Sequence, residues 1–313
     1  MSFKGNVTAV LGGGGFAGQL GKKGTASDIT LYNFKLQDAI LSFVEPSSYP
    51  DKVQSLVSAL NMADQAVLRV DVLNAELAET IVALDAVGME KGYVVYSGNV
   101  EPEALKPLLA GTVVAFYEEL ENQPMEIKEK LAGLVLKPDG EVVVQVDHSF
   151  MVKGVGTVAL GVVKQGTVRK HDTLSVYPGR MKVLVKNMQV HDVDEEEASV
   201  GSRVGLALKD VKPEDVPRGS LLAADGAVKT SSMLDVEVSL SKYAQRPLNV
   251  QDTFLANSCV NYSPAKILEG SVSPGGSGRL RLALEKEIPL FGGRVAYLDP
   301  GLKMPRIFAY SKV

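Results

Sequence analysis

The sequence predicts an α/β domain followed by two small antiparallel β-barrels, and three observations predict it. Over residues 1–125, short apolar or β-branched runs alternate with stretches that carry apolar residues at i, i+3, i+4 spacing. That is the pattern of strands and crossover helices in a mainly parallel sheet with helices on both faces. From about residue 140 the helical spacing gives way to short strands separated by Gly, Pro and Asp turns, as a small barrel requires. A second series of such strands begins near residue 228. The domains are therefore expected at 1–130, 131–227 and 228–313.

In the first domain the spacing predicts strands at 7–11, 29–34, 39–44, 66–70 and 93–96, and helices at 51–61, 75–87 and 102–109. The first strand runs into VLGGGGFAGQLGKKGT at residues 10–25. A phosphate loop needs glycines so that backbone N–H groups converge on anionic oxygens, a lysine as point charge and a Ser/Thr hydroxyl on Mg²⁺, in the order GxxxxGK[ST]. Reading back from Gly21-Lys22 puts Phe16 at the first glycine and Lys23 at the hydroxyl. The composition is that of a phosphate loop; the order is not. In the barrels, EVVVQVDHSF, GTVALGVVKQGTV, DTLSVYP, MKVLVKNMQV and RVGLALKD read as one set of strands, and MLDVEVSLS, DTFLANSCVNY, AKILEGSVS, GRLRLALE, RVAYLD and RIFAYSK as the next. The acidic run Glu195, Glu196, Glu197 reads as a solvated loop.

Composition narrows the function classes. Of 313 residues, 45% are hydrophobic and 22% charged, which suits a globular protein. No apolar run reaches the roughly 18 residues a membrane span needs, and no basic-then-apolar leader opens the chain, so a cytoplasmic protein with no membrane partner is expected. The single cysteine, Cys259, excludes an internal disulfide, and in its strand-like LANSCVNY setting it reads as a small core residue. His148, His171 and His191 are not spaced as a metal pair. The net charge of −4 argues against a simple electrostatic binder of nucleic acid, and no DNA partner is expected. Its distribution is uneven: −7 over residues 1–130, −1 over 131–227 and +4 over 228–313.

The middle segment carries a resemblance. VDHSFMVKGVGTVALGVVKQGTVRKHDTLSVYP, MKVLVKNMQVH and GSRVGLALKDVKPEDVPRGSLLA are similar to the second domain of translation elongation factors of the EF-Tu and SelB type. The glycine-turn hairpin KGVGTV (153–158), Gly161 and Val163, and the closing Gly201, Val204, Gly205, Leu208, Asp215, Arg218 and Gly219 follow the family's order and spacing. With the barrel so read, residues 1–130 resemble a truncated GTPase domain. The family's GHVDHGKT falls on GGGGFAGQ, with Gly12 opening the loop, Gly18 at the lysine and Gln19 at the Mg²⁺-binding hydroxyl. The usual following helix is missing. KKGTASDITLYNFKL resembles the switch segment, with Ala26, or by a one-residue slip Thr25, at the Mg²⁺-binding threonine. FVEPSSYPD resembles V-D-x-P-G-H-x-D, placing Glu45 at the aspartate and Tyr49 at the histidine that orients water, while YVVYSGNV puts Ser97 and Asn99 at the guanine-reading lysine and aspartate.

The whole pattern, a motif-poor GTPase domain and two barrels, is most similar to the SelB-like proteins of archaea. The resemblance implies a translation factor relative that binds tRNA or the ribosome through its barrels. Phosphoryl transfer rests on positioning and charge stabilisation, so loss of these positions together implies that GTP binding and hydrolysis are lost or much weakened. No catalytic residue, metal or cofactor is assigned; GTP and Mg²⁺ are not expected as working ligands. The family's mode of RNA binding would use Arg203, Asp215 and Arg218 for the acceptor end and Arg279, Arg281 and Arg294 for the stem. Two other readings stay open: an atypical active GTPase with Lys22 or Lys23 supplying phosphate charge, and a protein-interaction scaffold.

Overall fold

A computed structural model of the chain describes residues 4–37, 39–97 and 100–313. The first sheet contains β1 (Lys4–Leu11), β2 (Lys22–Ala26), β3 (Thr30–Leu36), β4 (Ala39–Glu45), β5 (Gln65–Val70), β6 (Gly92–Tyr96) and β7 (Glu118–Leu120) in the order β2-β3-β4-β1-β5-β6-β7. From β4 through β7 all pairings are parallel, while β2, β3 and β4 form an antiparallel edge. Alternation along β1 supplies both faces: Val7, Ala9 and Leu11 join α2 (Val53–Met62) and α3 (Ala75–Val87) in one core, and Val10 joins α1 (Ala17–Leu20) and α5 (Pro124–Ala132) in another. Helices thus cover both faces, as the sequence predicts. α4 (Pro102–Leu109) packs against the first core through Leu105.

In the α/β domain the structure adds α1, β2, β7 and α5 to the expected elements. β2 is exposed at every residue, so it has no buried face for alternation to report.

The middle barrel is built from β8 (Val143–Val152), β9 (Gly156–Gln165), β10 (Thr167–Arg169), β11 (Thr173–Tyr177), β12 (Met181–Val190), β13 (Val193–Asp194), β14 (Glu197–Ser199), β15 (Arg203–Lys209) and β16 (Leu221–Ala223). Six of them close in the order β11-β16-β8-β9-β15-β12 through the β11–β12 pairing, while β13 borders β12 and β10 pairs with β14. The last barrel closes as β17-β20-β19-β18-β21-β22, with β17 (Lys229–Leu240), β18 (Thr253–Ser258), β19 (Asn261–Glu269), β20 (Ser277–Leu290), β21 (Arg294–Leu298) and β22 (Ile307–Lys312). The expected strand DTFLANSCVNY is in fact a hairpin. Cys259 sits buried in its turn with φ +55°, not in a strand.

Among the described residues three ion pairs fasten the α/β domain to the barrels. Asp28, just before β3, takes both guanidinium nitrogens of Arg218 at 2.5 and 3.0 Å. Asp64, after α2, pairs with Lys164 of β9 at 2.9 Å. Glu79 of α3, fully buried, accepts from Arg306 Nη2 at 2.6 Å and Nε at 3.1 Å, and also from the Arg306 backbone N–H. Glycines let the backbones approach at two further points. A Cβ on Gly201 (φ +83°) would lie 2.3 Å from the Gly5 carbonyl oxygen, and one on Gly219 (φ +90°) would lie 2.7 Å from that of Val260.

Candidate functional site

The glycine run forms the wall of a pocket at the carboxyl end of β1. Gly12, Gly13 and Gly15 have φ of +73°, +62° and +85°, conformations that glycine adopts without a Cβ clash. At Gly12 a Cβ would lie 2.0 Å from the Arg69 carbonyl oxygen, so the loop can lie flat on the end of β5 only with glycine there. Phe16 turns into the core and α1 ends after four residues, leaving no long helix to aim its N-terminus at an anion. The cavity, about 510 Å³, is also lined by Glu45, Tyr49, Arg69, Asp71 and Glu76.

Its electrostatics favour a cation over a phosphate. Glu45 Oε1 accepts from the Gly15 N–H at 3.3 Å, and Oε2 accepts from the Tyr32 hydroxyl at 2.9 Å. A carboxylate of the protein itself therefore occupies a loop amide. Desolvation and the Glu45 hydrogen bond and charge push the Tyr32 hydroxyl up to about 12, so it remains a donor. Among the described residues, Arg69 is the one cation that lines the pocket. It is committed to Asp71 at 2.9 Å and to Ser97 Oγ at 3.0 Å, and it lies over the Phe16 ring at 4.9 Å. The Tyr49 hydroxyl donates to the Glu76 carbonyl, and its ring lies 5.8 Å from the Arg306 guanidinium, next to the Glu79 pair.

Of the nucleotide-site positions read from the sequence, Gly12, Glu45 and Tyr49 line this pocket and Ser97 touches it through Arg69. Gly18 and Gln19 lie on the exposed side of α1, and Thr25 and Ala26 lie on the exposed edge strand β2; none of the four lines the pocket. Lys22 and Lys23 are on β2 as well and do not line it. Asn99 is outside the described residues. Among the described residues no group of three or more His, Cys, Asp and Glu could hold a metal ion.

A second cavity, about 530 Å³, opens between the antiparallel edge of the α/β sheet and the middle barrel. Leu31, Ile40, Phe150, Leu160 and Met188 give it apolar walls, and Asn33, Gln189 and Asp192 add polar groups. Arg203 lines it too, but its guanidinium is bidentate on the buried Asp147 at 2.6 and 3.0 Å. Sequence reading reaches Arg203 and misses the cleft. The available signal is FMV at 150–152, three bulky residues in succession at a hairpin end, where a half-buried strand would alternate.

The remaining RNA candidates are dispersed. Asp215 caps the 3₁₀ turn Pro213–Asp215 by accepting the Lys212 N–H at 2.8 Å. Arg218 holds Asp28. Arg294 packs on the end of α3, its Nη1 on the Asp85 carbonyl, and lies 4.4 Å over the Tyr310 ring. On the outside of the last barrel, Arg279 pairs with Asp235 at 2.7 Å and Arg281 with Glu269 at 3.1 Å, all four side chains more than half exposed.

A glycine loop on the first strand of a mostly parallel sheet, followed by two six-stranded barrels, is the architecture of the translational elongation factors. Residues 156–223 match the family model for elongation factor Tu domain 2. The chain is 35% identical over 302 residues to the uncharacterized protein MJ0325 of Methanocaldococcus jannaschii, a match that covers 96% of each chain. It is 26% identical over 228 residues to the selenocysteine-specific elongation factor of the same organism, spanning 65% of this chain and 49%, about half, of that one. The crystal structure of elongation factor SelB from Methanococcus maripaludis with the GTP analogue GppNHp shares the fold: TM-score 0.81 at 22% identity, covering all of this chain and 79% of that one. The protein belongs to the SelB-like relatives of translation elongation factors.

Proposed function

We propose that this protein is a SelB/EF-Tu-like factor that works without guanine nucleotide, binding tRNA or the ribosome in the cytoplasm through barrels 131–227 and 228–313 while residues 1–130 serve as a fixed support. The observation that carries the reading is the Glu45 carboxylate on the Gly15 amide of a loop without lysine. An anionic ligand entering there meets Glu45, Asp71 and Glu76 against a single arginine already paired. At an effective dielectric near 20, one like charge at 4 Å costs about 4 kcal/mol, and a lost cationic partner costs roughly 2–5 kcal/mol more. Those losses exceed what loop amides alone return.

The interdomain pairs support the second half of the reading. Where a γ-phosphate would have to shift the domains, Asp28–Arg218 and Glu79–Arg306 already join them, and a ligand with no differential affinity for two arrangements shifts nothing. The exposed pairs at Arg279 and Arg281 are each worth about 0–1 kcal/mol, so an RNA phosphate can replace their carboxylates at little cost. The more confined Arg203, Arg218 and Arg294 would shape the surface on which an acceptor end rests. An atypical GTPase has less support, because Lys22 and Lys23 do not line the glycine pocket.

Isothermal titration of the full chain with GTP and GDP in Mg²⁺ tests the reading, together with filter binding of bulk tRNA at low salt. No nucleotide heat and salt-sensitive tRNA retention are expected. Micromolar, Mg²⁺-dependent GTP binding, or small-angle scattering that changes with a GTP analogue, would refute the nucleotide-free part. Absence of any RNA binding would replace the RNA reading with the scaffold one.

A further inference from the structure

Two features of opposite charge face the cleft between the α/β sheet and the middle barrel. β2 is the outer strand of its sheet, exposed at every residue, and its far side carries no strand among the described residues. Lys22 stands opposite Asn33, whose face of the sheet lines the cleft, and Lys23 stands opposite Tyr32 on the other face. Neither lysine has an ion-pair partner among the described residues. Gly24 and Thr25 of the same strand line the cleft itself.

On the barrel side the turn from β12 to β13 places His191 and Asp192 in the lining, and the acidic run continues from it through Asp194, Glu195 and Glu196. Asp192 and Glu195 hold no ion pair among the described residues. Asp194 accepts from the Asn187 and Gln189 amides, and Glu196 reaches Lys170 with an exposed carboxylate. Among the described residues no ion pair joins β2 to this run, so the two sets do not meet within one molecule. The rim between them is apolar. Phe150, Met151, Val155 and Val193 are 39%, 58%, 43% and 49% exposed; Phe150 and Val155 line the cleft, and Met151 and Val193 are chain neighbours of lining residues.

Lysines on a sheet edge oppose pairing with a like edge, because two copies of β2 would set lysine against lysine. They favour an acidic partner instead. The chain carries such a partner on the same cleft. A second copy, turned about a two-fold axis at the cleft mouth, can therefore lay its acidic run on β2 while offering its own β2 in return. The apolar rim would then lie at the centre of the contact, with the charges around it.

We propose that this protein forms a two-fold symmetric dimer through this cleft, with Lys22 and Lys23 of each copy against Asp192, Asp194 and Glu196 of the other and the apolar rim covered between them. The dimer is a property of the chain alone and does not depend on the RNA reading; an RNA end resting beside Arg203 would exclude the second copy.

Sedimentation velocity of the full chain at low salt tests the proposal, and a reversible dimer is expected at about 100 µM. Lys22→Glu with Lys23→Glu sets acid against acid in both contacts, whereas Asp192→Asn with Asp194→Lys and Glu196→Lys sets base against base. Each variant alone should weaken the dimer at least about tenfold, because like charges are then juxtaposed across the interface. Mixed in equal amounts, the two variants pair acid with base at both contacts and should dimerise as the unsubstituted chain does, a recovery that a misfolded variant could not give. A chain that is monomeric at about 100 µM, a dimer that either variant leaves intact, or a mixture that stays monomeric overturns the proposal.

Discussion

Glu79→Gln is the most direct perturbation of the fixed domain arrangement. The substitution keeps the shape of a fully buried side chain while removing its charge, leaving the Arg306 guanidinium, itself 8% exposed, without a counter-ion. Glu79 accepts from Nε, Nη2 and the backbone N–H of Arg306. Removing one member of such a buried pair typically costs about 3–5 kcal/mol, because desolvation of the survivor is no longer compensated. At 1.36 kcal/mol per decade that is roughly a 150- to 5,000-fold shift toward undocking of the last barrel from α3. Urea unfolding followed by circular dichroism measures the loss, and small-angle scattering shows the undocked chain as an increased radius of gyration. Adding GTP and Mg²⁺ should not restore docking. The double variant Glu79→Leu with Arg306→Met should recover most of the stability, since apolar replacements of similar volume avoid the desolvation cost. A loss under about 1 kcal/mol with an unchanged scattering curve would refute the role given to this pair.

Glu45→Gln removes one carboxylate from the glycine pocket, and at about 4 kcal/mol for one like charge pyrophosphate should then bind up to roughly a thousandfold more tightly by titration calorimetry; an unchanged affinity would show that Glu45 does not guard the loop amides. The Asp28 carboxyl is desolvated, which raises its affinity for a proton, but hydrogen bonds and charge from Arg218 hold it below its usual value. Its folded value thus lies below the unfolded one, so the pair's contribution is complete above the ordinary carboxylate range and is lost as pH falls through the depressed value. Thermal midpoints should be insensitive to this pair from about pH 5 to 8 and fall below about pH 4, and Asp28→Asn should soften that acid limb. An acid limb unchanged in the variant would contradict the assignment. Replacing Arg279 and Arg281 by alanine should weaken all RNAs alike and flatten the log–log salt dependence of filter binding by roughly 0.7–0.9 for each phosphate no longer neutralised. An unaltered slope would move the RNA track elsewhere.

What the sequence reveals depends on local apolar pattern. β1, β4 and β5 stand out as short apolar runs buried along nearly their whole length, and α3 as a longer run with apolar residues at i, i+3, i+4 spacing. β2 reads KKGTA and is solvent-facing throughout, so no period marks it. Cys259 looks like mid-strand because apolar residues flank it on both sides, whereas the chain reverses there in a left-handed turn that composition does not announce. The glycine loop is legible as a phosphate loop without its chemistry. The Glu45 carboxylate on its amide is not, since that contact joins residues 30 positions apart. The domain pairs are further out of reach. Glu79 reads as an ordinary surface glutamate on a helix, and only a partner 227 residues later makes its burial tolerable.

The cations on the ends of α2 and α3 bear on the order in which the chain can acquire its structure during synthesis. The elements β1 to α5 leave the ribosome before the barrels and contain nearly all the hydrophobic material of their own sheet. Yet the carbonyls of Met62, Ala63 and Asp85 are completed by Lys164 and Arg294, and the Glu79 charge by Arg306, so the first domain is finished by residues made later. A nascent chain stalled before Arg306 would carry a desolvated or re-hydrated Glu79 at the face of α3, an open surface for chaperones to hold. A fragment ending near residue 130 would keep that exposed condition permanently.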